Sequence, residues 1–184
     1  MKNIKKKVML SAFFGMMAVI SVAQEEARFE LDNTIEKVEK VDVGSFSSMS
    51  VAVPIKVRMD VFTDTEAGTT IKTIKLTAPK DKNKGTESTY LEQKEVEDIL
   101  KFLKKIQSVS KTKPTVETSY NYRTKYGFQI TTYFKLTGVE KGRWMTILQI
   151  GDRDKKRTLN YIGLAKGIAK FQILMTKAHD KLTD

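Results

Sequence analysis

The chain contains no cysteine. That excludes a disulfide framework, a thiolate zinc site and a cysteine nucleophile. It also excludes a bacterial lipid anchor, which needs a cysteine just after the cleavage site. Histidine is nearly absent too, with His179 the one example. Imidazole and thiolate are the usual ligands of transition metals, so neither a metal nor any other cofactor is expected. No glycine-rich loop of the phosphate-cradling type is present. Gly163 and Gly167 are four residues apart, but outside a membrane that spacing speaks only of close packing.

Long apolar runs are also missing, apart from one near the amino terminus. Lys2, Lys5, Lys6 and Lys7 precede an uncharged stretch from Val8 to Val22, and Ser21 and Ala23 place small residues at −3 and −1 of a cleavage site. A basic n-region, a short h-region and small residues in that order read as a secretory signal peptide. The run is about 15 residues, whereas spanning a bilayer takes roughly 20. The expectation is cleavage after Ala23, a mature chain starting at Gln24, and a periplasmic or secreted location without a transmembrane anchor.

What remains, 161 of 184 residues, suffices for one domain with a sizeable core. Cleavage removes four lysines and no acids, so 29 basic and 22 acidic residues leave a net charge of +7. A basic balance favours polyanions such as lipopolysaccharide or acidic polysaccharide. Nucleic acid is disfavoured, because lysine supplies most of the excess and arginine is not clustered.

The domain plan is residues 1–23 as signal, 24–47 as a partly ordered polar segment, and 48–184 as one α+β domain. In the polar segment Ile35, Val38 and Val41 fit a short helix, while Val41 and Val43 fit the start of a strand. From 49 to 62, Val51, Val53, Ile55, Val57, Met59 and Val61 alternate with polar residues, the period of a half-buried strand. Pro54 marks an edge or a bulge there. Residues 63–68 form a turn, 69–78 a second strand, and 79–86 a loop. Thr89 and Glu92 have capping-box spacing ahead of a helix over 91–108. Val96, Ile99, Leu100, Leu103 and Ile106 form its apolar stripe.

Four strands follow. One spans 115–124, with Val116, Thr118, Tyr120 and Tyr122 on one face. After a turn at Lys125-Tyr126-Gly127, Phe128, Ile130, Thr132, Phe134 and Leu136 line the next. Residues 143–150 are apolar on both faces, which suits a central strand. A charged tip at 151–157 leads into a short strand at 158–162. A closing helix over 164–182 carries Leu164, Ile168, Phe171, Met175, Ala178 and Leu182 on one face. The expected fold is an antiparallel sheet of about six strands with two amphipathic helices packed on one face, in the order ββ-α-ββββ-α. A strand–strand–helix echo links the halves without a residue-level repeat.

The candidate surface is aromatic and basic: Tyr120, Tyr122, Arg123, Tyr126, Tyr133 and Trp144 fall on adjacent strands and turns. Such residues favour recognition, though they also make ordinary cross-strand pairs. For catalysis, Glu117 with Glu140 is the carboxylate pair a hydrolase could use, with Asp60 and Asp64 as further candidate carboxylates. Asp60, Asp64 and Glu66 lack the ladder of a calcium loop and read as a turn. Asp152 and Asp154 sit among basic neighbours. His179 reads as a cation at a helix end.

Tyr90-Leu91 with the acidic run and the Val96, Ile99, Leu100, Leu103 stripe, the phrase Tyr122-Arg123-Thr124-Lys125-Tyr126-Gly127-Phe128, and the closing helix resemble small uncharacterised exported proteins of Gram-negative bacteria. The resemblance covers about residues 88–182. It implies export and an α+β domain, and no activity or functional residue. The function expected is a non-enzymatic exported binding module for a protein or surface polymer. The alternatives are a carboxylate hydrolase and a polyanion binder.

Overall fold

A computed structural model of the chain describes residues 35–47, 54–79, 85–139, 141–151, 159–163 and 165–184, with side chains for all of these except 35–36 and 159–167. The signal sequence, Glu140 and the charged tip at 152–158 lie outside the described residues.

Eight strands and two helices are described: β1 (Ile35–Phe46), β2 (Ile55–Asp64), β3 (Thr69–Pro79), β4 (Thr86–Leu91), α1 (Gln93–Val109), β5 (Thr118–Arg123), β6 (Gln129–Phe134), β7 (Trp144–Ile150), β8 (Leu159–Gly163) and α2 (Ala165–Thr183). The fold is α+β, but the expected single sheet is two. Strands β1-β2-β3-β4 form one four-stranded antiparallel sheet and β5-β6-β7-β8 form another, each in sequence order. The two strands that the expected order lacked are β1 and β4. With them the echo between halves becomes a complete repeat: four strands in a meander, then a helix, twice over. In each half a single residue, Glu92 or Leu164, separates the last strand from its helix.

The segment 35–46 resolves as a strand rather than a helix. Residues 37–40 are exposed, and the strand becomes useful to the core only at its end. A register shift between Asp42 and Gly44 places Phe46 opposite Ile55, where Phe46 is buried. Gly44 makes this bulge possible. Its φ is +139°, and a Cβ there would meet Leu174 Cδ1 of α2 at 3.1 Å. Glycine alone takes both the conformation and the close approach without strain.

In β2, Ile55, Val57 and Met59 are buried as the alternation implied. Phe62 is buried on the opposite face together with Asp60 and Asp64, so this strand is covered on both sides along part of its length. The 79–86 loop is shorter than expected, because Thr86–Leu91 pairs with Pro79–Ile74 as β4. Thr89 therefore does not cap the helix. It is buried in β4, and its hydroxyl donates to the Tyr126 carbonyl at 2.6 Å. The cap moves three residues on. Glu92 is the N-cap, and the Glu95 side chain accepts from the Glu92 backbone N–H at 3.0 Å. Both pairs have the same spacing in sequence; strand pairing decides between them, because Thr89 already belongs to a sheet.

The helical stripe of α1 buries Val96, Ile99, Leu103 and Ile106. Strand β5 begins at Thr118, leaving Val116 65% exposed. Strand β6 buries Ile130, Thr132 and Phe134, while Leu136 falls beyond its end and is exposed. Strand β7 is internal to its sheet, flanked by β6 and β8. On α2, Ile168, Phe171, Met175, Ala178 and Leu182 are buried.

Both sheets and both helices contribute to one buried cluster. Phe171 of α2 sits at its junction, with ring centroids 5.4 Å from Phe46 of the first half and 6.0 Å from Phe128 of the second. Across β6 and β7 the buried Thr132 and Thr146 hydroxyls pair at 2.8 Å, which satisfies both where water is excluded.

Candidate binding surface

The six aromatic and basic residues divide by strand parity. In β5, Thr118, Tyr120 and Tyr122 are half-buried, while Ser119, Asn121 and Arg123 are exposed. Register carries that division across the sheet. Tyr120 faces Thr132 and Thr118 faces Phe134, which faces Trp144. These lie on the core side.

Tyr120, Tyr122 and Trp144 accordingly spend their contacts on the fold. The Tyr120 ring lies 6.1 Å from Trp144, and Trp144 lies 5.4 Å from the buried Phe134. The Trp144 indole N–H donates to the Thr112 carbonyl at 2.7 Å. Tyr122 stacks 5.7 Å from Phe102 of α1, and its hydroxyl donates to the Glu95 carbonyl at 3.4 Å. Burial, then the nearby carboxylates of Asp98 and Glu95, push the Tyr122 phenol up to about 12. It stays neutral at any physiological pH.

Tyr126 occupies the tip of the β5–β6 hairpin. Lys125 Nζ lies 4.9 Å from its ring centroid, and the Tyr126 side chain raises the Lys125 ammonium above its ordinary value by hydrogen bonding. The hairpin is tied down by three bonds: Thr124 Oγ1 accepts from Phe128 N at 3.0 Å, Lys125 N donates to Glu95 Oε1 at 2.9 Å, and Thr89 reaches the Tyr126 carbonyl. The phrase 122–128 is thus the part of the second sheet that docks onto the amino end of α1.

Arg123 and Tyr133 remain, and both lie on the other face. Tyr133 pairs with Ser119 on one side and Met145 on the other, and Arg123 pairs with Gln129. The Arg123 guanidinium is held by Gln129 Oε1, from Nε at 2.9 Å and Nη2 at 2.6 Å. Gln129 Nε2 in turn donates to Thr131 Oγ1 at 2.8 Å. Lys135 Nζ stands 5.4 Å from the Tyr133 ring centroid. The sequence reading missed Gln129, Thr131 and Met145 here. Period-two alternation in β6 and β7 was the available signal, since every residue out of phase with Ile130, Thr132 and Phe134 shares a face with Tyr133.

Among the described residues, Asp60, Asp64 and Glu117 are each engaged separately. Asp60 is 2% exposed and paired with Arg58, at 3.0 Å from Nη2 and 2.7 Å from Nε. Asp64 Oδ1 accepts from the backbone of Glu66 and Ala67, which fits the turn reading. Glu117 Oε1 accepts from Leu136 N at 3.2 Å. His179 lies between helices, its Nε2 3.7 Å from Glu97 Oε1. Among the described residues no three His, Asp or Glu side chains group as a metal site. No helix there is long and apolar enough to cross a membrane.

No family model, curated protein or solved structure matches this chain.

Proposed function

We propose that the chain is exported by its amino-terminal signal and works beyond the cytoplasmic membrane as a non-enzymatic binding module. The observation that carries this reading is the outward face of the second sheet. There Arg123, Gln129 and Thr131 form an ordered polar row beside a half-buried Tyr133. Organised donors next to an aromatic ring suit recognition, because little side-chain entropy is left to lose. Of the carboxylates that would serve a hydrolase, Asp60, Asp64 and Glu117 are occupied instead in an ion pair, an Asx turn and a strand-end contact.

Two experiments test the two parts. Export predicts that the precursor expressed in a Gram-negative host accumulates outside the cytoplasm with Gln24 as its first residue; a cytoplasmic full-length chain would contradict it. Binding predicts that a photoreactive side chain placed at position 133 captures a ligand in the native cell envelope. The same group at exposed Val116 should capture none. Equal labelling at both, or at neither, removes the reading.

A polyanion is the favoured ligand class, for a reason that appears when the charge is divided by half. Residues 24–110 hold 14 Lys and Arg against 16 Asp and Glu, or −2, while residues 111–184 hold 15 against 6, or +9. The whole excess of the mature chain belongs to the second half of the repeat.

A further inference from the structure

The charge around the second sheet has a shape as well as a sign. Between residues 117 and 151 there are five basic residues, Arg123, Lys125, Lys135, Lys141 and Arg143, and two acids, Glu117 and Glu140. They do not stand along the sheet. Arg123 and Lys125 are at one end, where β5 turns into β6. Lys135, Lys141 and Arg143 are at the other, where β6 turns into β7. Between those ends the outward face of β5 and β6 is uncharged and rich in hydroxyls and amides, Ser119, Asn121, Gln129 and Thr131, with Tyr133 near one end, and on β7 it continues as Met145, Ile147 and Gln149.

Cations at both ends of a six-residue strand are on the order of 17–20 Å apart. A small anion reaches one end only. A ligand that engages both must be extended, anionic at intervals, and hydroxyl-bearing between its charges. A nucleic acid carries a phosphate on every residue and stacks its bases on several aromatics. Among the described residues this face offers no cation in its middle and one aromatic ring. A uronate- or sulfate-bearing polysaccharide meets the pattern better. Its acidic groups fit the fork of Arg123, which keeps donors unspent on Gln129. Its sugar hydroxyls fit the amide and hydroxyl rows, and Tyr133 with Lys135 beside its ring adds an aromatic and cationic contact at one end.

We therefore propose that the outer face of β5-β6-β7 binds an acidic polysaccharide laid along the strands. The proposal rests on the binding-module reading and gives it a ligand class and a footprint.

The test uses the mature chain, residues 24–184, with heparin and alginate as acidic probes, dextran as a neutral one, and a single-stranded oligonucleotide as a competitor class. The wild type should bind an acidic polysaccharide with an affinity that falls as salt rises, and should bind dextran at least tenfold more weakly. Arg123→Ala should cost about tenfold in affinity and lower the salt slope by about one. Arg123→Lys should restore the salt slope and only part of the affinity. Tyr133→Ala should weaken binding with the salt slope unchanged, since the ring contributes no charge. Lys104→Ala, on exposed α1 surface in the first half, should bind as the wild type. Unfolding midpoints of all variants, followed by Trp144 fluorescence, separate loss of binding from loss of fold.

Wild-type affinity in both Arg123→Ala and Tyr133→Ala overturns the footprint. Equal binding of dextran, or tighter binding of the oligonucleotide, overturns the ligand class. If no acidic polysaccharide binds while the photoreactive group at 133 still captures a ligand, this inference fails and the binding-module reading stands. If neither occurs, both fall.

Discussion

Tyr122 shows how far a single residue can be read in advance. Its place in an alternating strand was legible, because Tyr120 and Tyr122 share a parity. Which side that parity faces was not. It is set by the helix lying against the strand, and Phe102 and Glu95 reach Tyr122 only after α1 has docked. The raised phenol has a pH consequence. The native state holds its proton from pH 10 to about 12, while the unfolded phenol loses it near 10. The native state therefore binds more protons in that window, and stability falls as pH rises through it. Lysines titrate there too, so the comparison is between the wild type and Tyr122→Phe. The wild type should lose stability more steeply in urea titrations between pH 10 and 12; parallel profiles would contradict the assignment. Thr89 gives a second check at this scale. Thr89→Val should cost about 1 kcal/mol, because the Tyr126 carbonyl loses the donor that the buried Thr89 supplies. A helix cap would behave differently: Thr89→Ser would then be neutral and Thr89→Asp stabilising, whereas in a buried strand Asp should be strongly disruptive.

Among the elements, the helices and the strands of clean alternation were visible, and the short or irregular strands were not. Strand β4 has six residues ending in Tyr90 and Leu91, and its Thr89 mimics a cap, so local pattern favoured an early helix start. The true cap at Glu92 and Glu95 also anchors the β5–β6 hairpin, since Glu95 Oε1 takes the Lys125 N–H. Glu95→Ala should thus destabilise by about 1–2 kcal/mol, the range of a lost cap, while Glu97→Ala on the same helix should change little. Strand β1 was ambiguous because its exposed residues, Lys37 to Lys40, carry no alternating signal to the core. Its bulge does the decisive work, and Gly44→Ala tests it. A methyl group in a left-handed conformation at 3.1 Å from Leu174 should cost about 1–3 kcal/mol in chemical denaturation. A neutral Gly44→Ala would show that β1 bends for another reason.

At the scale of the molecule, the sequence carried the α+β class and the echo between halves, but not the division into two sheets. No residue pattern states which strands pair; α1, inserted between β4 and β5, ends one meander and begins the next. The two halves share one core through Phe171, so Phe171→Ala should lower stability by about 3–5 kcal/mol and should act on both sheets together. The halves differ most in charge. The first is near balance and the second holds the excess, which the uniform spread of lysine across the whole sequence conceals. That asymmetry, with Arg123 and Tyr133 turned outward, is what supports the proposal of a ligand-facing surface on the second sheet.

The most direct measurement of that claim is the map of backbone amide shifts in the mature chain as an acidic polysaccharide is titrated in. The account predicts that the perturbed amides cluster in β5, β6 and β7 and the turns at their two ends, centred on Arg123, Thr131 and Tyr133, with β2 and β3 unmoved. Shifts centred on the first sheet, or scattered over lysines of both halves, would contradict it.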